Sequence, residues 1–175
     1  MSKWFVFLMG LALPAQVASD SAEVLHEMKR CVSYHAAWSG DFLVIRAAVE
    51  PGWKTFAMDN KRRAAERLAG KPSLGIDQPT EIELTGLRPA GAWFQTPPKD
   101  FSKPEIRWFT FGYDKEAVFA VKVRRVGAAK AGIRGQACTE TTCKNIDVTV
   151  SVPAPATGRA GSNGIDVRTL VPVRM

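Results

Sequence analysis

Phe42-Leu43-Val44-Ile45-Arg46-Ala47-Ala48-Val49-Glu50-Pro51-Gly52-Trp53-Lys54-Thr55-Phe56-Ala57-Met58 is the stretch that decides the fold class. Its first half is a β-prone apolar run, its middle is the strong turn signal Pro51-Gly52, and Trp53 to Met58 alternates apolar and polar with period two. Read together, the two halves form a hairpin. Working outward, the same kind of segment recurs at Glu81–Leu84, Glu105–Phe111, Ala117–Val123 and Asn145–Val152. Gly and Pro punctuate the intervals. Short strands at such spacing indicate an all-β sandwich. Asn60 to Gly70 is the one helical candidate, with Asn60 as its cap and Gly70 as its stop. Ala22 to Arg30 reads as a helical turn or an extended lead-in. Leu87 to Pro104, rich in Pro and aromatics (Trp93, Phe94, Phe101), reads as a long loop of the kind that carries function.

The chain has 175 residues with 46% apolar residues and five Trp, enough for one packed domain. Its termini read differently. Met1-Ser2-Lys3, the apolar run Trp4 to Leu13 and the small residues up to Ser19 have the pattern of a secretory signal over residues 1–19. The run is too short to span a bilayer, and no other stretch approaches that length. The expected product is a periplasmic or secreted protein with a β-sandwich over 20–153. A Pro-, Ala- and Gly-rich tail over 154–175 follows, whose Ile165 to Val171 suits an edge strand. The formal charge of +7 is scattered rather than gathered in a strip. Together with export, that argues against nucleic acid and for a solvated surface. Lys61-Arg62-Arg63 reads as a solvated helix face.

The chemistry lies in Gly135-Gln136-Ala137-Cys138-Thr139-Glu140-Thr141-Thr142-Cys143-Lys144-Asn145. Four residues separate two thiols, and strand-like segments flank them, so a short hairpin loop would bring the sulfurs face to face. In an oxidising compartment they would form a disulfide. A loop this small gains little closure entropy, which favours a bond used chemically. Lys144 would favour a thiolate at Cys143, and Glu140 would oppose it if it points inward. The spacing alone also fits a bond that merely staples a hairpin. Cys31 is the odd thiol, read as an unpaired bystander. His26 and His35 lie far upstream of the pair with no compact ligand spacing, so no metal is expected, and no phosphate loop or hydrolase set calls for a cofactor.

From about Phe42 to Pro153 the chain resembles the N-terminal periplasmic domain family of the thiol:disulfide interchange protein DsbD. The residues carrying the resemblance are Pro51-Gly52-Trp53-Lys54-Thr55-Phe56, Gln78-Pro79-Thr80-Glu81-Ile82, Asp100-Phe101-Ser102-Lys103-Pro104-Glu105, and Gly135 through Cys143. The resemblance implies an immunoglobulin-like sandwich with a redox-active pair, Cys138 and Cys143. Such domains receive electrons through a thioredoxin-like donor of a membrane-embedded partner and pass them to oxidised periplasmic proteins. It further implies that Cys143 forms the mixed disulfide and that Asp100 and Phe101 belong to a cap loop shielding the bond. The family pair has one more residue between its cysteines. Because this chain stops where a membrane domain would begin, its donor is expected to be a separate protein. The competing reading is a non-catalytic binding or structural module.

Overall fold

In the computed structural model, residues 21–71, 77–155 and 166–174 are described. The expected signal at 1–19 and residues 156–165 and 175 of the Pro-rich tail lie outside them. The elements are β1 (Ala22–His26), β2 (Lys29–Ser39), β3 (Phe42–Val49), β4 (Lys54–Phe56), α1 (Asn60–Leu68), β5 (Glu81–Gln95), β6 (Lys99–Asp100), β7 (Phe111–Tyr113), β8 (Glu116–Cys138), β9 (Cys143–Ser151) and β10 (Val171–Pro172). The fold is all-β and sandwich-like, of the immunoglobulin kind, with one short α-helix.

All the pairings are antiparallel, and the main path runs β1-β2-β3-β8-β4-β7-β6. β8 holds it together. Its first half pairs β3, its second half pairs β9, its last residues pair β4, and β5 follows it along both halves. β1 and β2 lie against β9 without hydrogen-bonding to it. The interior between them is filled by fully buried Val32, Tyr34, Leu43, Ile45, Phe119, Val121, Ile133 and Val150. Tyr113 and Phe119 meet edge to face at 5.8 Å between ring centroids.

Several sequence expectations give way to the observed pairing. β3 does not form a hairpin with β4. Gly40, with φ +57, turns the chain tightly so that β3 pairs β2, and the other edge of β3 is occupied by β8. Pro51-Gly52 therefore turns the chain out of that ladder and lays β4 along the far end of β8, where Lys54 registers with Cys138 and Thr55 with Ala137. The supposed loop at Leu87–Pro104 is largely strand, because β5 continues to Gln95. Its register shifts between Thr85 and Leu87 and between Pro89 and Trp93 absorb the Gly and Pro that disguise it. At the first shift Gly86 has φ +71, and a Cβ there would lie 2.0 Å from the Ala128 carbonyl oxygen. The expected strand at Glu105–Phe111 is instead a 3₁₀ turn at Pro104–Ile106 followed by β7. Pro104 suits the first turn of a helix and cannot donate to a ladder. Ala22 to Arg30 takes the extended alternative, as β1 and the turn into β2. The tail adds β10 to the edge of β5, with Val171 opposite Gln95.

Helix α1 forms where expected, but Asp59 rather than Asn60 occupies its N-cap position, without a capping bond. Both side chains are used elsewhere. Asn60 Oδ1 accepts from the Phe111 amide at 2.7 Å, and its Nδ2 donates to the Asp77 carbonyl at 3.1 Å. Asp59, 3% exposed, accepts from Arg63 Nε (2.7 Å), Gln95 Nε2 (2.6 Å) and the Arg174 amide (3.1 Å). One buried carboxylate thus ties helix, β5 and tail. Lys61 and Arg62 are exposed, as read from the sequence.

Candidate functional site

Cys138 ends β8 and Cys143 begins β9, and they stand opposite each other in the ladder, joined by a disulfide with S–S 2.11 Å and Cα–Cα 4.0 Å. Residues 139–142 make the hairpin loop. The Thr139 amide donates to the Thr142 carbonyl at 2.8 Å. Thr139 Oγ1 accepts from the amides of Thr141 and Thr142 at 3.2 and 3.1 Å. A hydroxyl satisfying two loop amides fixes the turn locally. The two cysteines are unlike: Cys138 is 5% exposed, whereas Cys143 is exposed at the edge of the sheet.

The residues around Cys138 come from several separate stretches of the chain. Cys138 lines a cavity of about 110 Å³ together with Phe56, Asp77, Phe101, Trp108 and Glu140. Phe101 follows β6 on a segment pinned at several points. Its amide donates to the Thr110 carbonyl at 3.0 Å, the Thr110 amide donates to Ser102 Oγ at 3.1 Å, and the Ser102 amide donates to Asp100 Oδ1 at 2.9 Å. Trp108 donates from Nε1 to Asp77 Oδ2 at 2.8 Å, which fixes the second aromatic wall. Asp100 and Phe101 part company here. Phe101 lines the cavity, whereas the exposed Asp100 faces Arg67 at 3.7 Å.

An ionic cluster closes the rim. Glu140, inside the cysteine loop, meets Lys54 Nζ at 2.5 Å and Lys103 Nζ at 3.3 Å. Lys54 Nζ also lies 5.0 Å from the centre of the Phe101 ring, within cation–π range. One carboxylate thereby links the cysteine loop, β4 and the Phe101 segment. The bond from Lys54, and after it that from Lys103, holds the Glu140 carboxyl below the usual range. Lys54 and Glu140 also line an open groove of about 880 Å³ whose floor includes Trp53 and Ala48.

Lys144, expected beside Cys143, is the next residue along a strand, so its side chain points to the opposite face. The cations that reach the disulfide cavity are Lys54 and Lys103. Sequence reasoning missed both roles, because Lys54 arrives through the β4–β8 pairing, which no local pattern encodes. Asp77 and Trp108 were missed for the same reason. Cys31 is unpaired and fully buried, and burial pushes its thiol up. Trp53 is half-buried with its ring edge-on to His26 at 5.6 Å. Among the described residues, no group of three His, Cys, Asp or Glu side chains is arranged to hold a metal ion, and no helix is long and apolar enough to cross a membrane.

The chain matches no protein-family model and no curated protein. Among solved structures it is similar to the N-terminal periplasmic domain of ScsB from Proteus mirabilis, at 20% identity and a TM-score of 0.47. That match covers 81% of this chain and 49% of that one, so the chain spans about half the length of the ScsB structure. It is also similar to the yeast GGA1 GAE domain, at 9% identity and a TM-score of 0.32 over 77% of this chain and the whole of that one.

Proposed function

We propose that the protein is an exported thiol:disulfide exchange module that carries reducing equivalents from a thioredoxin-like donor, free or membrane-embedded, to oxidised periplasmic proteins through Cys138 and Cys143. The observation that carries this reading is the asymmetry of the pair. Cys143 is an exposed residue at a sheet edge, while Cys138 is enclosed with Phe101 and Trp108 in a cavity that Lys54 and Lys103 also line. A bond serving only to staple a hairpin needs neither. The resemblance to the DsbD N-terminal domain supports the same reading.

In the first step a donor thiolate attacks Cys143 Sγ. A new disulfide forms between donor and Cys143 as the Cys138–Cys143 bond breaks, and Cys138 leaves as a thiolate. Thiolates form more readily near cations. Lys54 and Lys103 bound the cavity that receives this one. The donor's second thiolate then attacks the donor sulfur of the mixed disulfide. That leaves the donor oxidised and both cysteines of the module reduced. Transfer to an acceptor runs the other way. The Cys143 thiolate attacks the acceptor disulfide, and Cys138 resolves the product.

The reduction potential of the pair tests the reading. An exchanging disulfide lies above about −300 mV, where structural ones typically do not. A value below that limit, with no measurable exchange with thioredoxin, would leave the hairpin staple as the function of the bond.

A further inference from the structure

The free edge of β9 carries an inference that rests on the exchange reading above. The β8–β9 ladder runs from Lys130 opposite Ser151 to Cys138 opposite Cys143. In an antiparallel ladder, facing residues exchange backbone hydrogen bonds only at alternate positions. Two bonds fix the phase here: Thr139 N to Thr142 O (2.8 Å) at the tip, and Val152 N to Ala129 O (2.9 Å) at the far end. Both make Lys144, Ile146, Val148 and Val150 the residues bonded to β8. The N–H and C=O groups of Cys143, Asn145, Asp147 and Thr149 therefore point away from it. β8 is the one described strand paired with β9; β1 and β2 lie against β9 without pairing with it, and these four backbones make no hydrogen bond elsewhere among the described residues. All four residues are exposed. An edge without a strand partner is a template for another chain unless it is covered or blunted, and this one begins at the exposed Cys143.

We infer that the β9 edge from Cys143 to Thr149 docks an extended segment of the thiol-bearing partner protein, which adds as a strand while its sulfur bonds Cys143. The occupant follows from distances. A disulfide holds its two Cα atoms about 4.4–6.8 Å apart, and neighbouring strands lie about 4.8 Å apart. A partner joined to Cys143 therefore brings a segment lying beside its own cysteine to ladder distance from the amides of Asn145 and Asp147. Strand addition takes its affinity from main-chain bonds. It suits a module that must accept different sequences on its donor and acceptor sides. In this step the partner thiolate bonds Cys143 Sγ and Cys138 departs as thiolate, so no other oxidant or reductant is needed.

Amide hydrogen exchange tests the docking. The Cys138→Ser protein is joined to a thioredoxin variant that keeps only its nucleophilic cysteine, activated as the thionitrobenzoate disulfide. The Cys143 thiolate displaces thionitrobenzoate. The amides of Asn145 and Asp147 should exchange fast in the free protein and at least about tenfold more slowly in the adduct, as expected for one or two net hydrogen bonds gained. Those of Lys144 and Ile146 should be protected in both. Unchanged exchange at Asn145 and Asp147 in the adduct overturns the docking edge. So does protection of these amides in the free protein accompanied by elution as a dimer, which would show the edge taken by a second copy. Asp147→Pro gives an independent readout, because its N–H is not part of the β8 ladder. Reduction of this variant by thioredoxin should slow about tenfold while reduction by dithiothreitol stays unchanged. Equal rates with both reductants, relative to the native protein, overturn the proposal. Failure of native thioredoxin to reduce the unmodified disulfide at all would instead sink the exchange reading, and the docking with it.

Discussion

Two carboxylates each tie separate parts of this fold together, and they do so in opposite settings. Asp59 is buried and takes bonds from Arg63, Gln95 and the Arg174 amide. Glu140 stands at the surface, its side chain 64% exposed, and takes Lys54 and Lys103. Burial pushes the Asp59 carboxyl up, but its three donors outweigh that and hold it below the usual range. The Glu140 carboxyl is held low by its lysines with little opposition from burial. A buried charge robbed of its partners has nowhere to go, whereas an exposed one returns to water. The first cluster is therefore a fixed joint and the second a latch that opens at little expense. The latch is the one that borders the cavity holding Cys138.

The contrast is broken most directly at the joint. Asp59→Ala should destabilise the protein by about 3 kcal/mol, because Arg63 and Gln95 lose a buried acceptor together. Chemical denaturation measures this, and a loss under about 1 kcal/mol would put Asp59 on a level with an exposed pair. The sign of the pH dependence follows from the depressed pKa. The stabilisation is present in full above the ordinary aspartate value of about 3.9 and is lost as pH falls through the lower folded value. A native protein losing stability in that window, and an Asp59→Ala variant losing less, would sharpen the point.

On the exchange side, the two cysteines should differ. Cys138→Ser should leave Cys143 able to trap a thioredoxin variant lacking its resolving cysteine. Cys143→Ser should leave the enclosed Cys138 trapping at least about tenfold less. Non-reducing gels read this directly, and equal trapping would mean that burial does not choose the attacked sulfur. Phe101→Ala opens the cavity and should speed reduction of the disulfide by a small thiol about threefold or more, since access limits the reaction. An unchanged rate would make Phe101 ordinary packing. The smallest effect belongs to the latch alone. Glu140→Gln keeps the shape and removes the charge, so it should speed reduction less than Phe101→Ala does and leave Tm unchanged. A marked fall in Tm would mean that the surface cluster carries stability after all.

The parts legible in the sequence were those set by neighbours along the chain. Cys138 and Cys143 are close in sequence, so their pairing followed from their spacing, their strand-like flanks and the expected export. Helix α1 followed from an uninterrupted helical run, although Asn60 spends its side chain on Phe111 and Asp77 rather than on a cap. The β-sandwich class followed from repeated alternation. Which strand pairs with which did not, because Pro51-Gly52 marks a turn equally well inside a hairpin or between ladders. Everything that depends on that pairing, including Lys54 beside Cys138, was hidden for the same reason. β5 was hidden by the Gly86, Pro89 and Gly91 that its bulges accommodate. Phe101, which lines the cavity with Cys138, was singled out only through its family counterpart, since an aromatic in a Pro-rich loop has no spacing rule of its own.

The burial of Cys31 acquires a meaning when the chain is imagined before it folds. Three thiols then compete for one bond. Cys138 and Cys143 are five positions apart, and Cys31 lies roughly a hundred residues from either. Loop-closure probability falls as about the three-halves power of contour length, which favours the short ring by about a hundredfold. A hairpin turn pre-ordered by Thr139 would widen that margin. Once β2 docks, Cys31 is sealed from any oxidant and the competition is over. The native bond is thus selected by kinetics early and protected by packing late, and the chain should reach it in an oxidising compartment without an isomerase to correct mispairing.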